Sequence, residues 1–225
     1  VRHIEVQIVG DGKSVVHLWE RDCTIQRRNQ KIIELAPAPN LISELRQQLL
    51  DAAITIGQAC HYKGLGTVEF LVEVKPDHRA GDFFFIETNP RIQVEHTITE
   101  EVTGLDLVAI QLRIAAGESL ADLGLDQKSI LLPNGYALQA RINTETLNDQ
   151  GELVPTGGTL QQFQLPGGPG IRVDTYAYSG YSTNPNFDSL LAKLIVHSKS
   201  NHLSQLLTKA ERALSEVQIS GIDTN

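Results

Sequence analysis

The chain has 225 residues, with 19 basic and 27 acidic side chains and a formal net charge of −8. This acidic balance argues against a nucleic-acid partner, because binding to a phosphate backbone needs a positive surface. No apolar run approaches the roughly 18 residues of a membrane span, so we expect no membrane association. Cys23 and Cys60 form no CxxC pair, which predicts two reduced thiols in the cytoplasm, or in the mitochondrial matrix of a eukaryote.

Hydrophobic periodicity predicts alternating strands and helices through the first half of the chain. In chain order, the predicted strands cover residues 3–9, 14–19, 68–74 and 83–87. The predicted helices cover residues 41–60 and 106–116, and Thr97 with Glu100 fits a capping box at the start of another helix. Residues 20–31 are interpreted as a polar stretch and residues 75–82 as a polar loop.

The second half is predicted to consist of short strands, separated by turns rich in glycine and proline, and one final helix. The predicted strands cover residues 136–142, 158–164, 171–178 and 190–197, and the helix covers residues 202–217. Residues 118–133 are loop-like. We therefore expect one domain over residues 1–117, a linker over 118–133 and a second domain over 134–225.

The strongest chemical signal follows the apolar strand end at residues 83–86. Polar or charged side chains occupy every odd position after it: Glu87, Asn89, Arg91, Gln93 and Glu95. In extended backbone these side chains would point to one side. A solvated edge strand is the alternative interpretation, but a carboxylate, an amide and a guanidinium at close range are typical of an anion or metal site.

A second carboxylate, Glu69, lies on the strand before this one. If the two strands pair as a hairpin, Glu69 and Glu87 can approach each other across it. Two carboxylates and the amide oxygen of Asn89 suit Mg²⁺, a hard cation that prefers oxygen ligands and often shares them with phosphates.

Two further basic features keep alternative interpretations open. Arg27, Arg28 and Lys31 form either a solvated basic patch or a strip that binds phosphate or bicarbonate. Arg141, taken alone, is typical of a surface or interface arginine.

Several segments together resemble the biotin carboxylases, which are the ATP-grasp subunits or domains of acyl-CoA, pyruvate and urea carboxylases. The resemblance spans the chain, and its most specific parts are the run ERDC…QRR.QK at residues 20–31 and the run E.NPR.QVEH at residues 87–96. It implies an α+β fold: the carboxy-terminal half of an ATP-grasp domain, with an antiparallel-rich mixed sheet and flanking helices, followed by the small biotin carboxylase C-terminal domain. The chain also lacks methionine, so we expect it to be a fragment of a longer protein. We further expect that this fragment alone turns over little or no ATP.

The same resemblance implies roles for individual residues. Glu69, Glu87 and Asn89 would hold Mg²⁺ or Mn²⁺ ions that bridge the ATP phosphates. The nucleotide would also be contacted by His3, Gln26, Leu71 and Asn29, the last standing where many members have a histidine. Bicarbonate would be bound by Lys31, Arg91, Gln93 and the backbone of Val94. Glu95 would be the general base that deprotonates bicarbonate, and Arg141 would stabilise the biotin enolate.

The resemblance also implies partners. Biotin would arrive on a separate carrier domain, and a carboxyltransferase domain or subunit would pass the carboxyl group to pyruvate, an acyl-CoA or urea. Homodimerisation is expected from Arg172, although Pro169 replaces a contact aromatic. The alternatives are another ATP-grasp ligase that activates a carboxylate, or a non-catalytic scaffold.

Overall fold

The computed structural model describes residues 1–74 and 80–225. Its strands are β1 (Arg2–Asp11), β2 (Val15–Arg27), β3 (Gln30–Ala36), β4 (Lys63–Val74), β5 (Ala80–Asn89), β6 (Tyr136–Asn143), β7 (Glu145–Leu147), β8 (Leu153–Pro155), β9 (Gln162–Gln164), β10 (Ile171–Thr175), β11 (Leu190–Ser198) and β12 (Gln218–Ser220). Its helices are α1 (Ser43–Ala59), α2 (His96–Thr103), α3 (Leu107–Ala115) and α4 (Leu203–Ser215). Within the described ranges, none of these helices is long and apolar enough to cross a membrane.

Eight strands form the main sheet, in the order β10-β11-β6-β3-β2-β1-β4-β5. Neighbouring strands in it run antiparallel. Two small antiparallel pairs, β7–β8 and β9–β12, stand beside it. The sheet and its four helices confirm the predicted α+β class with an antiparallel-rich sheet.

Helices cover one face of the sheet, and the alternation of apolar residues explains how. Ile4, Val6 and Ile8 of β1 point to that face and pack against α1 through Leu45 and Leu49. At the other end of the same face, α4 packs against alternate residues of β6 and β11. Burial of these apolar side chains, at roughly 25 cal/mol per Å² removed from water, is what holds the helices on the sheet.

The opposite face is only partly covered. Helix α3 packs against the end of the sheet near Val9 and Leu65, and α2 packs against β3, β6 and β11 through Ile98 and Val102. Between them the polar side chains of the central strands, Glu5 and Gln7 among them, are buried on this face. The polar alternate positions of β1 therefore do not face solvent.

Residues 20–31 differ from the predicted polar stretch. They form the second half of β2 and the start of β3, joined by a tight turn at Arg28 and Asn29, which have left-handed φ angles of 51° and 64°. Charged residues such as Arg21 are fully buried in this strand. The charge pattern suggested solvent exposure, but buried ion pairs compensate these charges inside the fold.

Two smaller predictions also change. The capping box is wrong: α2 begins at His96 without a side-chain cap, and the Thr97 hydroxyl instead donates to Gln139 Oε1 at 2.5 Å. Short strands β7, β8 and β12 were not predicted, because three residues are too few to show a period. Most of the predicted loop over residues 75–82 lies outside the described residues.

The main sheet contains strands from both sides of the predicted linker. Strand β3 pairs with β6 from Ile33–Ala140 to Ala36–Ala137, so the segments before and after residues 118–133 share one hydrogen-bonded sheet. The division into two domains stays a prediction.

Candidate active site

Strand register places charged side chains in one row across the sheet. Glu5 of β1 is the register partner of Arg21 on β2 and of Glu69 on β4, and Glu69 is in turn the partner of Glu87 on β5. Directly paired residues in neighbouring strands project to the same face. Four charged residues from four strands therefore lie side by side on the half-open face.

A cavity of about 520 Å³ opens above this row. It is lined by twelve of the thirteen predicted site residues: His3, Gln26, Asn29, Lys31, Glu69, Glu87, Asn89, Arg91, Gln93, Val94, Glu95 and Arg141. Leu71 is the register partner of His3 but is not among the lining residues that the structure describes. The odd-numbered side chains from Glu87 to Glu95 thus line one cavity with Glu69 and Lys31, although β5 ends at Asn89 and residues 90–95 form a loop and turn rather than a strand.

The lining also includes residues that sequence reasoning missed. These are Gln30, Ile86, Asn143, Asp188, Ser189 and Leu190. Asn143 follows Arg141 by two positions on β6, so strand alternation could have identified it. The 188–190 segment carries no comparable signal, because only the antiparallel pairing of β11 with β6 brings it to the cavity.

Lys31 is the central cation of the site. Its Nζ lies 2.5 Å from Glu5 Oε2, 2.5 Å from Glu95 Oε1 and 3.2 Å from Glu69 Oε1. Burial alone would lower the pKa of Lys31, but the facing charge of Glu5 and the nearby charge of Glu95 raise it above its ordinary value. Lys31 is therefore a fixed positive charge that holds three acids together.

Glu69 is held in its ionised form. Burial would raise its pKa, but His3 Nε2 at 2.6 Å, the Lys31 charge and a hydrogen bond from Gln93 Nε2 at 2.9 Å lower it to about 2. Asn89 Nδ2 also donates to Glu69 Oε1 at 2.9 Å. Charge-assisted hydrogen bonds of this kind favour the carboxylate.

Arg141 bridges two acids on the far side of the cavity. Its Nε donates to Glu34 Oε1 at 2.6 Å and its Nη2 donates to Glu95 Oε2 at 3.0 Å. Burial and the nearby charge of Glu95 raise the pKa of Glu34 to about 7, despite the attraction of Arg141. Since Glu95 is also held by Lys31, each of its oxygens faces one cation.

Arg21 supports the site from below and was not predicted. It is fully buried, and its guanidinium donates to Glu5 Oε1 at 2.5 Å, Gln7 Oε1 at 2.7 Å and Thr99 Oγ1 at 2.9 Å. It thereby joins the sheet to α2, the helix that begins directly after Glu95.

The predicted metal ligands meet at one end of the cavity. Asn89 Nδ2 donates to Glu69 Oε1 at 2.9 Å and to Glu87 Oε1 at 2.8 Å, so the amide stands between the two carboxylates. Rotating this amide would present its oxygen in the same place, which gives three oxygen donors suited to a hard divalent cation. His3, Glu5 and Glu69 also come within 4.8 Å of one another. We favour the first set, because Glu87 and Asn89 line the cavity, whereas Glu5 is buried beneath it with one oxygen bonded to Arg21 and the other to Lys31.

Three of the four predicted bicarbonate-binding residues, Arg91, Gln93 and Val94, lie in the loop between β5 and α2, and the fourth, Lys31, lies on β3. Arg91 is exposed at the rim, and the hydrogen bond described for its guanidinium goes to the carbonyl of Ile92 at 3.2 Å. Gln93 is buried, and its Oε1 has no hydrogen-bond partner within the described part of the chain. A buried acceptor without a partner is costly, so a ligand that donates a hydrogen bond here would be stabilising.

Family models match both halves of the chain. One described as "Carbamoyl-phosphate synthase L chain, ATP binding domain" matches residues 1–123. A second, described as "Biotin carboxylase C-terminal domain", matches residues 139–225.

Curated relatives are similar over the whole chain but are longer. The mitochondrial pyruvate carboxylase of Homo sapiens is 45% identical over 226 residues, which cover 100% of this chain and 18% of that protein. The biotin carboxylase of Nostoc sp. (strain PCC 7120) is 45% identical over 224 residues, which cover 99% of this chain and 47% of that protein. The chain thus spans about half the length of the second relative and about a fifth of the first.

Solved structures share the fold closely. The structure titled "Biotin Carboxylase domain of single-chain bacterial carboxylase" has a TM-score of 0.89 and 52% identity, covering 100% of this chain and 49% of that one. The structure titled "Biotin Carboxylase domain of Thermophilic 2-Oxoglutarate Carboxylase bound to Bicarbonate" has a TM-score of 0.89 and 42% identity, covering 99% of this chain and 48% of that one.

Proposed function

The chain belongs to the biotin carboxylase family, and from this membership we propose that it carries the bicarbonate-activating part of an ATP-dependent biotin carboxylase. The observation that supports this most strongly is the placement of Glu95. Its two oxygens lie 2.5 Å from Lys31 Nζ and 3.0 Å from Arg141 Nη2, in the cavity that also holds Glu69 and Glu87. The reaction needs a base, two cations and a site that can bind a metal ion together with the ATP phosphates.

Bicarbonate is a weak nucleophile until its proton is removed. We propose that Lys31, Arg91 and Gln93 bind it, and that Glu95 accepts the proton. A bicarbonate oxygen then bonds to the γ-phosphorus of ATP, the bond to ADP breaks, and carboxyphosphate results. Positive charge fixed in advance at Lys31 stabilises the negative charge that builds up during this transfer.

We propose that Glu69, Glu87 and Asn89 would hold Mg²⁺ or Mn²⁺. A divalent ion bound there would neutralise charge on the ATP phosphates. The chain's own contribution is to keep Glu69 ionised, through its low pKa, and to hold it close to Glu87 through the bridging amide of Asn89. The proposed nucleotide contacts line the cavity beside these metal ligands; they are His3, Gln26 and Asn29. Leu71, also predicted to contact the nucleotide, is not among the described lining residues.

Arg141 is the proposed cation for the carboxyl acceptor, biotin. Carboxyphosphate breaks down to carbon dioxide and phosphate. The phosphate then takes the ureido N–H proton of biotin, and the nitrogen bonds to the carbon of carbon dioxide. The negative charge that develops on the ureido oxygen during this step needs a nearby cation. The structure titled "single-chain, multi-domain long-chain acyl-coa carboxylase" has a TM-score of 0.90 and 44% identity to this chain. We infer that a separate carrier domain brings biotin to Arg141 and then transports the carboxylated biotin to a carboxyltransferase.

Three further assignments belong to this proposal. The two free cysteines suit a reducing compartment, either the cytoplasm or the mitochondrial matrix. Residues 1–117 and 134–225 are proposed as ATP-grasp and C-terminal domains. Homodimerisation remains a proposal, with Arg172 at the edge of the sheet as its candidate contact.

ADP release by the full-length protein tests the function. We expect release to require ATP, a divalent ion and bicarbonate and to be accelerated by biotin, because biotin consumes the products of the carboxyphosphate that forms together with ADP. A different ATP-grasp ligase would release ADP with another carboxylate and ignore biotin, and a non-catalytic scaffold would release none. Either result would reject the proposal.

A further inference from the structure

The loop that carries Gln93, Val94 and Glu95 is held from behind by side chains that do not reach the cavity. Lys193 Nζ donates to the carbonyl of Val94 at 3.1 Å. His96 Nδ1 lies 2.8 Å from the carbonyl of Gln93. Both contacts grip the peptide backbone of the loop, so they control where its amides and the Glu95 carboxylate point.

Lys193 is itself fixed by the sheet. On β11 it is the register partner of Arg141 on one side and of Asp174 on the other. Its ammonium lies 3.3 Å from Asp174 Oδ2, and its side chain is only 12% exposed. The side chain therefore has little freedom to leave the Val94 carbonyl.

The support continues from Lys193 to the helix that begins next to Glu95. Arg172 donates to both oxygens of Asp174 at 2.9 and 3.0 Å, and its Nη1 donates to Glu100 Oε2 at 2.8 Å. Glu100 lies on α2, one turn beyond Glu95. The chain Lys193–Asp174–Arg172–Glu100 thus links the Val94 carbonyl to α2 and closes around the loop.

We propose that Lys193 is a positioning residue for bicarbonate activation, which acts by orienting the Val94–Glu95 peptide. This inference rests on the proposed function of the loop. Because Lys193 holds the Val94 carbonyl, it fixes the orientation of the Val94–Glu95 peptide plane. The side chain of Glu95 leaves the backbone at the next residue, so the position of its carboxylate is fixed as well. Small displacements of a binding group or a base lower the catalytic rate substantially. Lys193 touches neither ATP nor bicarbonate in this scheme and is not a catalytic residue.

The test is steady-state kinetics of bicarbonate-dependent ADP release by the full-length protein, with Lys193→Met compared with wild type. We expect the KM for bicarbonate to rise on the order of tenfold, as for loss of a charged hydrogen bond, while the KM for ATP stays within about twofold. Lys193→Arg keeps a cationic donor and should restore most of the bicarbonate affinity. Lys193→Gln is a second uncharged variant should the methionine variant fail to fold.

Lys209 offers a matched control. Its Nζ also donates to a backbone carbonyl, that of His197 at 2.8 Å, but this carbonyl belongs to β11 and not to the loop that carries Gln93, Val94 and Glu95. Lys209→Met should leave the KM for bicarbonate unchanged. Equal effects of the Lys193 and Lys209 variants, or an unchanged KM for bicarbonate in both uncharged Lys193 variants, would overturn the inference. Absence of bicarbonate-dependent ADP release in the wild-type protein would instead reject the proposed function.

Discussion

Glu95 stands between two cations that serve different purposes in the proposed reaction. Lys31 holds one carboxylate oxygen and Arg141 holds the other. Bound bicarbonate has to share these cations with Glu95, so the ion pairs seen here must rearrange as the substrate enters. The same contacts keep the base close to its substrate.

Glu95→Gln should therefore remove the base while keeping the shape of the side chain and its ability to form hydrogen bonds. We expect bicarbonate-dependent ADP release to fall at least about 100-fold, the usual scale of general-base catalysis. ATP binding, measured by calorimetry, should change little, because Glu95 lies on the bicarbonate side. Full-rate ADP release by the variant would show that the base is assigned wrongly.

Glu34 predicts a pH dependence of stability. Its pKa in the folded protein, about 7, lies above its ordinary value of 4.5, so the folded state binds the proton more tightly than the unfolded state. Its contribution is fully present below pH 4.5 and is lost as the pH rises towards 7. In Glu34→Gln this loss should disappear, so the variant gains stability relative to wild type between pH 5 and about 7.5.

Urea unfolding at several pH values measures this difference. Glu69→Gln is the control, because the pKa of Glu69 is lowered to about 2. Its contribution is lost only as the pH falls from 4.5 towards 2, outside the window tested. Parallel stability curves for wild type and Glu34→Gln would contradict the assignment.

At this scale much of the site could be predicted from sequence. Alternation placed Glu87, Asn89 and Glu95 on one side, and the cavity confirms that they converge with Lys31. Glu5 and Arg21 could not be assigned in this way. Their pairing depends on the register between strands, which no local pattern in the sequence encodes.

Strand β1 shows how an element combines two functions. Its even positions, Ile4, Val6 and Ile8, build the core with α1, while its odd positions carry Glu5 and Gln7 to the site. Alternation separates these two faces, but it does not show whether the polar one is buried. Burial of that face comes from α2 and α3, whose docking is a tertiary event.

Arg21, on β2, donates hydrogen bonds to β1, to α2 and, through Thr67, to β4, and its removal should weaken these three contacts. Arg21→Met would leave Glu5 buried with only Lys31 as a charged partner. We expect a loss of about 3–5 kcal/mol in the free energy of unfolding, the usual cost of removing one member of a buried pair. Thermal or urea denaturation measures it.

The control is Arg113→Met, which breaks an ion pair with Glu118 at the protein surface. Exposed pairs contribute little, so this variant should unfold close to wild type. If Arg21→Met were as stable as Arg113→Met, the buried network would not be what fixes α2 on the sheet.

In the whole molecule, the site depends on both halves of the chain. Lys31, Glu69 and Glu95 come from residues 1–117, whereas Arg141 and Lys193 come from residues 134–225. They meet because β3 pairs with β6 within one sheet. Sequence patterns predicted β6 but neither β3 nor this pairing, which joins residues about a hundred positions apart.

A shared sheet predicts cooperative unfolding. Trp19, the single tryptophan, lies on β2 and donates to the carbonyl of Leu131 in the predicted linker at 2.9 Å. Urea unfolding followed by its fluorescence should coincide with loss of amide protection in β6 and β11, because β3 and β6 share hydrogen bonds. Loss of protection in β6 and β11 at a lower urea concentration would indicate two independent units.

The central claim is that a bicarbonate oxygen attacks ATP in the cavity beside Glu95 and Lys31. Bicarbonate labelled with oxygen-18 tests this directly in the full-length protein, with the released phosphate analysed by mass spectrometry. The proposed mechanism predicts one labelled oxygen in each phosphate released in the presence of biotin, since the carbon–oxygen bond of carboxyphosphate breaks and the oxygen stays on phosphorus. Phosphate without the label would mean that another nucleophile cleaves ATP.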